Sequence, residues 1–224
     1  MSDYQGPVCV RCGVKACDAE PGVKTTPRFC AMLAEPELLD EVERTYLADA
    51  SLHRMAVESA RTEAAGYCKA TRVEEIMDFA RRMGWHRLGI AHCVGLMQEA
   101  KAAKDIFVAG GFEVWTVCCK VGSINKENMD ILDEEKVRCG EYEAMCNPVG
   151  QAALLAKAET EFNVIIGLCV GHDSLFFMHS KAPATVLVAK DRVLGHNPVA
   201  ALHTTHSYYR RLTETGTQPG GNAP

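Results

Sequence analysis

The second half of the chain alternates between short apolar runs and longer amphipathic segments. The apolar runs predict β-strands at 87–92, 112–118, 163–169 and 184–190. The segments between them, at about 95–109, 148–161 and 172–180, have the spacing of helices. Strands that alternate with helices of this length are typical of βαβ units with right-handed crossovers. We therefore predict an α/β fold with a doubly wound, mainly parallel sheet of about four to five strands.

The first half of the chain follows a different pattern. Residues 36–83 have helical periodicity, and Thr71 and Glu74 have the spacing of a capping box, with Gly84 placed to end that helix. Residues 1–35 are rich in Cys, Gly and Pro and show no sustained periodicity. We therefore predict a cysteine-rich metal-binding knuckle over 1–35, a helical segment plus α/β domain over 36–212, and a flexible tail over 213–224.

The last part of the α/β domain is harder to interpret. Residues 190–192 predict a turn into a short return strand at Val193 and Leu194, and a last helix is expected to start at Pro198.

The polar, acidic segment 120–145, between the second and third predicted strands, predicts no regular element.

Composition argues against several classes of function. The net charge of −5, without a Lys/Arg cluster, argues against nucleic-acid binding. A membrane-spanning helix needs about 20 apolar residues, and no apolar stretch approaches that length. The start of the chain lacks the features of a signal peptide. We therefore predict a cytoplasmic protein without a membrane partner. In that reducing compartment disulfides are rare, so the 11 cysteines favour metal binding or catalysis.

Four cysteines near the N-terminus have the spacing of a metal site, with two residues between Cys9 and Cys12, four before Cys17 and twelve before Cys30. Four thiolates satisfy either tetrahedral Zn²⁺ or a [4Fe–4S] cluster. A zinc ribbon usually has two Cys-x2-Cys hairpins, and this chain has one, which favours iron–sulfur and leaves zinc open. A purely structural role, in which the metal folds a segment without its own core, also stays open.

A second group of cysteines follows the predicted strands. Cys93-Val94-Gly95 and Cys169-Val170-Gly171 repeat the same triplet after two strands, and the strand at 112–118 ends in the adjacent thiols Cys118 and Cys119. Cys146 precedes Asn147-Pro148, a firm helix start. Parallel strands end at one edge of the sheet, where the following helices begin and where open α/β sheets bind their ligands. We therefore predict a second site there, formed by Cys93, Cys118 or Cys119, Cys146 and Cys169.

The chemistry expected at this edge suits thiolates. Helix N-termini lower thiolate pKa values and stabilise anionic clusters through N–H···S contacts. Because side chains alternate along an extended strand, one of Cys118 and Cys119 must point away unless a bulge presents both. His196-Asn197-Pro198-Val199 repeats the pattern that starts at Cys146, so His196 is a candidate ligand or proton donor. The roles of Cys68 and Cys139 are left open.

Together, Cys-x2-Cys-x4-Cys, the repeated Cys-Val-Gly and the Cys-Asn-Pro resemble a family of uncharacterised, cysteine-rich, predicted metal-binding proteins of anaerobic bacteria and archaea. The resemblance extends from about residue 7 to about residue 212. It implies metal binding and an anaerobic host, and hence favours iron–sulfur chemistry. It implies no particular reaction and no catalytic residue.

Three functional hypotheses follow. In the first, one or two [4Fe–4S] clusters serve a redox or sulfur-handling enzyme. The second is a zinc-stapled, non-enzymatic protein whose edge thiols buffer, deliver or sense a soft metal. The third makes an edge cysteine a nucleophile. The expected partners are an electron-transfer protein or a small sulfur or metal species, and a homo-oligomer is compatible with all three. The sequence has no G-x-G-x-x-G motif after the first strand and no P-loop, so no motif indicates nucleotide binding.

Overall fold

The computed structural model of the protein describes residues 6–214 and contains one four-stranded parallel sheet. The strands are β1 (Arg87–His92), β2 (Glu113–Cys118), β3 (Phe162–Ile166) and β4 (Ala184–Val188). They lie in the order β2-β1-β3-β4, and every neighbouring pair is parallel. The predicted α/β class is confirmed. The largest differences are at β3 and β4, which end a few residues earlier than the apolar runs predict.

Helices fill the connections between the strands. The α-helices are α1 (Ala31–Ala34), α2 (Pro36–Ala48), α3 (Ala50–Gly66), α4 (Arg72–Met83), α5 (Met97–Ala109), α6 (Pro148–Lys157), α7 (His172–His179) and α8 (Val199–His203). Helix α5 connects β1 to β2, α6 lies between β2 and β3, and α7 connects β3 to β4. This is the doubly wound arrangement that the alternation of elements predicts.

The strand order reverses between the two central strands. From β1 the chain continues outward to β2, whereas from β3 it continues outward in the opposite direction to β4. In open α/β sheets such a switch point opens a crevice at the C-terminal ends of the two strands, and ligands bind there. Cys93 follows β1, and Cys169 lies three residues after the end of β3. The two Cys-Val-Gly triplets therefore flank the switch point.

The two central strands form the middle of the hydrophobic core. Five of the six residues of β1 and all five of β3 are buried, which explains their continuous apolar sequence. Phe107 of α5 and Phe176 of α7 are fully buried in the same core. At the N-terminal end of the sheet, Trp85 stacks on Phe162 with ring centroids 5.0 Å apart.

The predicted boundaries of α4 are confirmed. The Glu74 carboxylate accepts hydrogen bonds from the backbone N of Thr71 at 2.7 Å and from its Oγ1 at 2.6 Å, as in a capping box. Gly84 ends the helix in the left-handed conformation, with φ of +74°.

The predicted return strand at Val193 and Leu194 is wrong. Residues 192–196 form turns instead, because the Asp191 side chain accepts hydrogen bonds from the backbone N atoms of Val193 and Leu194 at 2.9 and 2.8 Å. The last helix is short, from Val199 to His203. The predicted tail lies outside the described residues from position 215 onward.

The polar segment 120–145 is organised by ion pairs. It contains two 3-10 turns and an isolated antiparallel bridge between Asn125 and Ala144. The buried Lys136 ammonium contacts the carboxylates of Glu127 and Asp133. Because ion pairs rather than buried apolar side chains organise this segment, its sequence lacks hydrophobic periodicity and predicts no helix or strand.

The chain divides into two compact units, the first ending at Ala65 and the second beginning at Gly66. The second contains the sheet and its core. In the first, Thr62 is the only buried residue among positions 6–65. Helices α2 and α3 of this unit therefore bury no apolar side chain. Across residues 6–214, no helix is long and apolar enough to cross a membrane.

Candidate functional site

The four N-terminal cysteines line one cavity. Cys9 begins and Cys12 follows a 3-10 turn, Cys17 lies in the next turn, and Cys30 precedes α1. The cavity has a volume of about 120 Å³, and Pro27 and Phe29 contribute to its apolar walls together with Lys15 and Ala16. The structure therefore brings together all four cysteines that the spacing groups into one site.

One backbone N–H group donates to a sulfur at this cavity. The backbone N–H of Lys15 donates to Cys12 Sγ at 3.4 Å. Lys15 adopts a left-handed conformation with φ of +49°, which is uncommon for a residue with a side chain. N–H···S hydrogen bonds of this kind stabilise thiolates that bind a metal or a cluster.

The size of the cavity limits what it can hold. In a zinc site each sulfur atom lies about 2.3 Å from the metal ion. One water molecule occupies about 30 Å³ in the liquid, which gives a scale for the cavity volume of about 120 Å³. Within residues 6–214, no group of three or more His, Cys, Asp or Glu side chains converges closely enough to hold one metal ion. The four cysteines therefore line one cavity in this structure without converging on a single point.

Three further thiols meet at the C-terminal edge of the sheet. Cys119 is central and only 2% exposed; its sulfur lies 3.8 Å from Cys146 Sγ and accepts a hydrogen bond from the backbone N of Val94 at 3.3 Å. Cys119 also has the largest influence on the pKa of Cys93. Cys93 lies in the connection after β1, Cys119 directly follows β2, and Cys146 lies two residues before α6 begins. We call these three residues the edge thiols.

Backbone hydrogen bonds hold the edge thiols in place. Cys93 N donates to Ile166 O at 3.0 Å, Cys119 N donates to His92 O at 2.8 Å, and Asn147 N donates to Cys119 O at 2.7 Å. The side chain of Asn147 caps α6 by accepting from Gly150 N at 2.8 Å. The Asn-Pro helix start predicted from the sequence therefore also fixes Cys146 beside Cys119.

The structure separates the two adjacent cysteines. Cys118 is the last residue of β2, pairs with His92 and packs against the hydrophobic core. Cys119, the next residue, turns toward Cys93 and Cys146. The alternation of side chains along the strand is the reason that the two thiols diverge.

A buried glutamine, which sequence reasoning misses, ties the strand ends together. The Nε2 of Gln151 donates to His92 O at 3.2 Å and to Val117 O at 2.7 Å. These carbonyls belong to the residues that precede Cys93 and Cys118. The side chain of Gln151 therefore fixes the spacing between β1 and β2 just below the edge thiols.

Cationic side chains contact two of the sulfurs. Lys190 Nζ lies 3.5 Å from Cys93 Sγ, and Arg192 Nη2 donates to Cys169 Sγ at 3.1 Å. A Cβ at Gly95 would lie 3.6 Å from Lys190 Nζ, an ordinary van der Waals distance, so the contact between Lys190 and Cys93 does not itself require a glycine there. Gly171, in the second triplet, instead adopts a φ of +83°. Both cations follow β4, and their position in the sequence gives no signal of a role near cysteines.

The electrostatics lower the pKa of the two outer edge thiols and raise the pKa of Cys119 between them. The hydrogen bond with Cys119 lowers the pKa of Cys93 to about 5, with help from Gly95 N and Lys190 and against the effect of burial. The same contact with Cys119, assisted by Lys120 and His172, lowers the pKa of Cys146 to about 5. The pKa of Cys119 is raised by its two sulfur neighbours and by burial. Since Cys119 has one proton, it donates to one of the two thiolates at a time.

The other candidate residues lie around this cluster or apart from it. Cys169 contacts Arg192 and raises the pKa of that guanidinium. His196 is engaged locally, because its Nδ1 accepts from the backbone N of Asp191 at 3.1 Å. Cys68 and Cys139 are exposed, and Cys139 Sγ lies 3.9 Å from Lys136 O.

Residues 30–187 match the family model described as "Protein of unknown function (DUF1847)". The chain belongs to this family. The matched range contains every cysteine of the sheet edge and, of the N-terminal four, Cys30. The chain is also similar to "Uncharacterized protein MJ0455" of Methanocaldococcus jannaschii, an archaeon, at 41% identity over 206 residues, which cover 92% of this chain and 98% of that protein. No solved structure matches the chain. For this DUF1847 member the comparisons therefore give a family and not a reaction.

Proposed function

We propose that this protein binds one [4Fe–4S] cluster through Cys9, Cys12, Cys17 and Cys30, and carries out redox or sulfur-related chemistry at the cysteines of the sheet edge. The observation that carries the proposal is the shared cavity of about 120 Å³ that all four N-terminal thiols line. In a [4Fe–4S] cluster each thiolate binds a different iron, so the four sulfurs stand around the cluster rather than around one ion.

The lack of a hydrophobic core in the first unit also supports a metal there. Among residues 6–65, only Thr62 is buried, so apolar burial does little to hold the turns that carry the four cysteines. A metal–thiolate site supplies folding free energy outright in segments of this kind. When bound, the cluster would supply one-electron transfer, and the N–H of Lys15 would stabilise the sulfur of Cys12.

At the sheet edge, the support comes from charge and position. Two thiols with low pKa values flank a protonated third, and Lys190 and Arg192 contact sulfurs next to the switch point of the sheet. All eleven cysteines are free thiols in the structure, so each is available for such chemistry. An electron-transfer protein and a small sulfur species are the partners that fit this chemistry.

One observation favours a second function, the binding of a soft metal at the edge by a non-enzymatic protein. Two thiolates on one tetrahedral zinc ion, with bonds of about 2.3 Å, lie roughly 3.8 Å apart. Cys119 and Cys146 have this separation. Thiolates select soft or borderline metals, so the pair suits the buffering or delivery of such an ion.

The test is the metal content of protein purified without oxygen. We expect about four irons and four acid-labile sulfides per chain, as one cubane requires. Cys12→Ser and Cys17→Ser should lose most of both, whereas the exposed cysteines Cys68 and Cys139 provide control variants, Cys68→Ser and Cys139→Ser, that retain them. A colourless protein that contains only zinc would contradict the proposal. About eight irons would indicate a second cluster at the edge.

A further inference from the structure

The contact between Cys119 and Cys146 assigns a more specific chemistry to the edge. We propose that these two residues form a redox-active dithiol that reduces a small anionic disulfide and becomes an intramolecular disulfide. The inference rests on the proposed role of the edge as the reactive centre. It does not depend on a cluster at the N-terminal cysteines.

The geometry places the two sulfurs as a preformed pair. They lie 3.8 Å apart, and a disulfide needs about 2.0 Å, so the remaining approach is small. The backbones are adjacent as well, because the N–H of Asn147, the residue after Cys146, donates to the carbonyl of Cys119 at 2.7 Å. Gln151 and the Asn147 cap hold the strand end and the helix start that carry the pair.

Burial assigns a different task to each sulfur. Cys119 is 2% exposed, so an external disulfide cannot approach it along the line that exchange requires. Cys146 is only partly buried and is the member of the pair that a ligand can reach. Cys146 therefore attacks the substrate, and Cys119 resolves the intermediate from behind.

The reaction balances as a two-electron exchange. The Cys146 thiolate attacks one sulfur of R–S–S–R, forming a Cys146–S–S–R mixed disulfide and releasing one R–S⁻. Cys119 then attacks the sulfur of Cys146, its proton passes to the second leaving R–S⁻, and the Cys119–Cys146 disulfide forms. Water protonates the first R–S⁻, so the substrate is reduced to two thiols as the dithiol is oxidised. An external dithiol reverses the exchange and regenerates the protein.

Charge around the pair points to an anionic substrate. Lys190 and Arg192 contact the sulfurs of Cys93 and Cys169, and Lys120 Nζ donates to Ala144 O at 2.5 Å, two residues before Cys146. The carboxylates Asp173 and Asp191 lie on the same connections, but each accepts backbone N–H groups of its own turn. Lys120 and Arg192 also interact electrostatically with Cys146, so a disulfide that carries carboxylates meets cations at the edge that holds the attacking thiol.

The first experiment maps the disulfide in the full-length protein. Reduced protein is treated anaerobically with excess 3,3′-dithiodipropionate, then alkylated and digested with trypsin without reduction. We expect peptide 105–120 linked to peptide 139–157. Because these peptides also contain Cys118 and Cys139, Cys118→Ser and Cys139→Ser should keep the link, and Cys146→Ser should abolish it. In Cys119→Ser, Cys146 should instead accumulate a stable mixed disulfide of the probe.

The second experiment tests the substrate class. Dithiodipropionate and cystamine are small symmetrical disulfides of opposite charge. The rate at which each oxidises the protein is divided by the rate at which it oxidises a free small dithiol, which corrects for the intrinsic reactivity of the disulfide. We expect the anionic probe to react at least about tenfold faster at low salt, with a ratio that shrinks as salt screens the charges. Lys190→Ala and Arg192→Ala should reduce the ratio, whereas the exposed control Lys101→Ala should not.

Several results would overturn the inference. A wild-type protein without the 105–120 to 139–157 link, or with a link that survives in Cys146→Ser, would refute the dithiol, and this wild-type result does not depend on whether a variant folds. Equal normalised rates at low salt would refute the anionic class. A zinc-only protein that still forms the link would refute the cluster and leave the dithiol intact, and iron without the link would do the reverse.

Discussion

At the scale of single residues, Cys119 determines the chemistry of the sheet edge. It is the buried neighbour of both Cys93 and Cys146, and its contacts lower the pKa of each of them while its own pKa is raised. A thiolate that accepts a hydrogen bond in a partly desolvated site is favoured over its neutral form. The reactivity of Cys146 should therefore depend on a residue that a reagent does not touch.

The pH dependence of alkylation checks this directly. The thiolate is the nucleophile, so the rate at which iodoacetamide modifies Cys146 should rise with pH through its pKa, at about 5. In Cys119→Ala the largest cause of the shift is gone, and the midpoint should move up toward the ordinary value of 9.0. Rates at each pH are read from peptide 139–157 by mass spectrometry. The same midpoint in both proteins would contradict the role of Cys119.

The sequence predicted part of the edge at this scale. Strand ends and a helix start, which hydrophobic periodicity and Asn-Pro reveal, place Cys93, one of Cys118 and Cys119, and Cys146 at this edge. The choice between Cys118 and Cys119 depends on where the strand turns. Lys190 and Arg192 reach sulfurs 97 and 23 positions away in sequence, so only the fold reveals these contacts.

At the scale of elements, the connections after β1 and β3 are in close contact at the switch point. The 3-10 turn at Val94–Leu96 carries Leu96 against Gly167, the residue after β3. A Cβ at Gly167 would lie 2.5 Å from Leu96 Cδ2, and the glycine adopts a φ of +68°. The two connections that present Cys93 and Cys169 thus depend on a residue without a side chain.

Gly167→Ala should destabilise the protein for both reasons. We expect a loss of roughly 2–4 kcal/mol in the free energy of unfolding, from left-handed strain and from the clash with Leu96. The matched control is Gly140→Ala, since Gly140 has a φ of +79° but a methyl group added there would meet no atom within 4 Å, and this variant should lose only about 1 kcal/mol. Urea unfolding of both variants measures the difference. Equal losses would show that the contact with Leu96 is unimportant.

At the scale of the whole molecule, the two units are predictable to different degrees. The α/β class of the second unit, its parallel sheet and most element positions follow from hydrophobic periodicity, because its central strands and helices bury apolar side chains. The ion-paired segment 120–145 has no such signal. In the first unit, where only Thr62 among residues 6–65 is buried, cysteine spacing was the usable pattern.

The same contrast is the reason that we propose the cluster in the first unit. Over residues 6–65 no apolar side chain is buried and four cysteines line a cavity of about 120 Å³, so the proposed cluster would supply folding free energy that a core does not. The edge thiols, by contrast, belong to a unit that has its own core. Loss of the cluster should thus affect the fold of the first unit while the sheet persists.

X-ray absorption spectroscopy of the anaerobically purified protein is the decisive measurement for the proposed [4Fe–4S] cluster, because it identifies the atoms next to the bound metal. We predict absorption at the iron edge with both sulfur and iron neighbours, as in a [4Fe–4S] cluster, and loss of this signal in Cys12→Ser. A zinc edge with a single shell of sulfur atoms and no metal–metal scattering would contradict it.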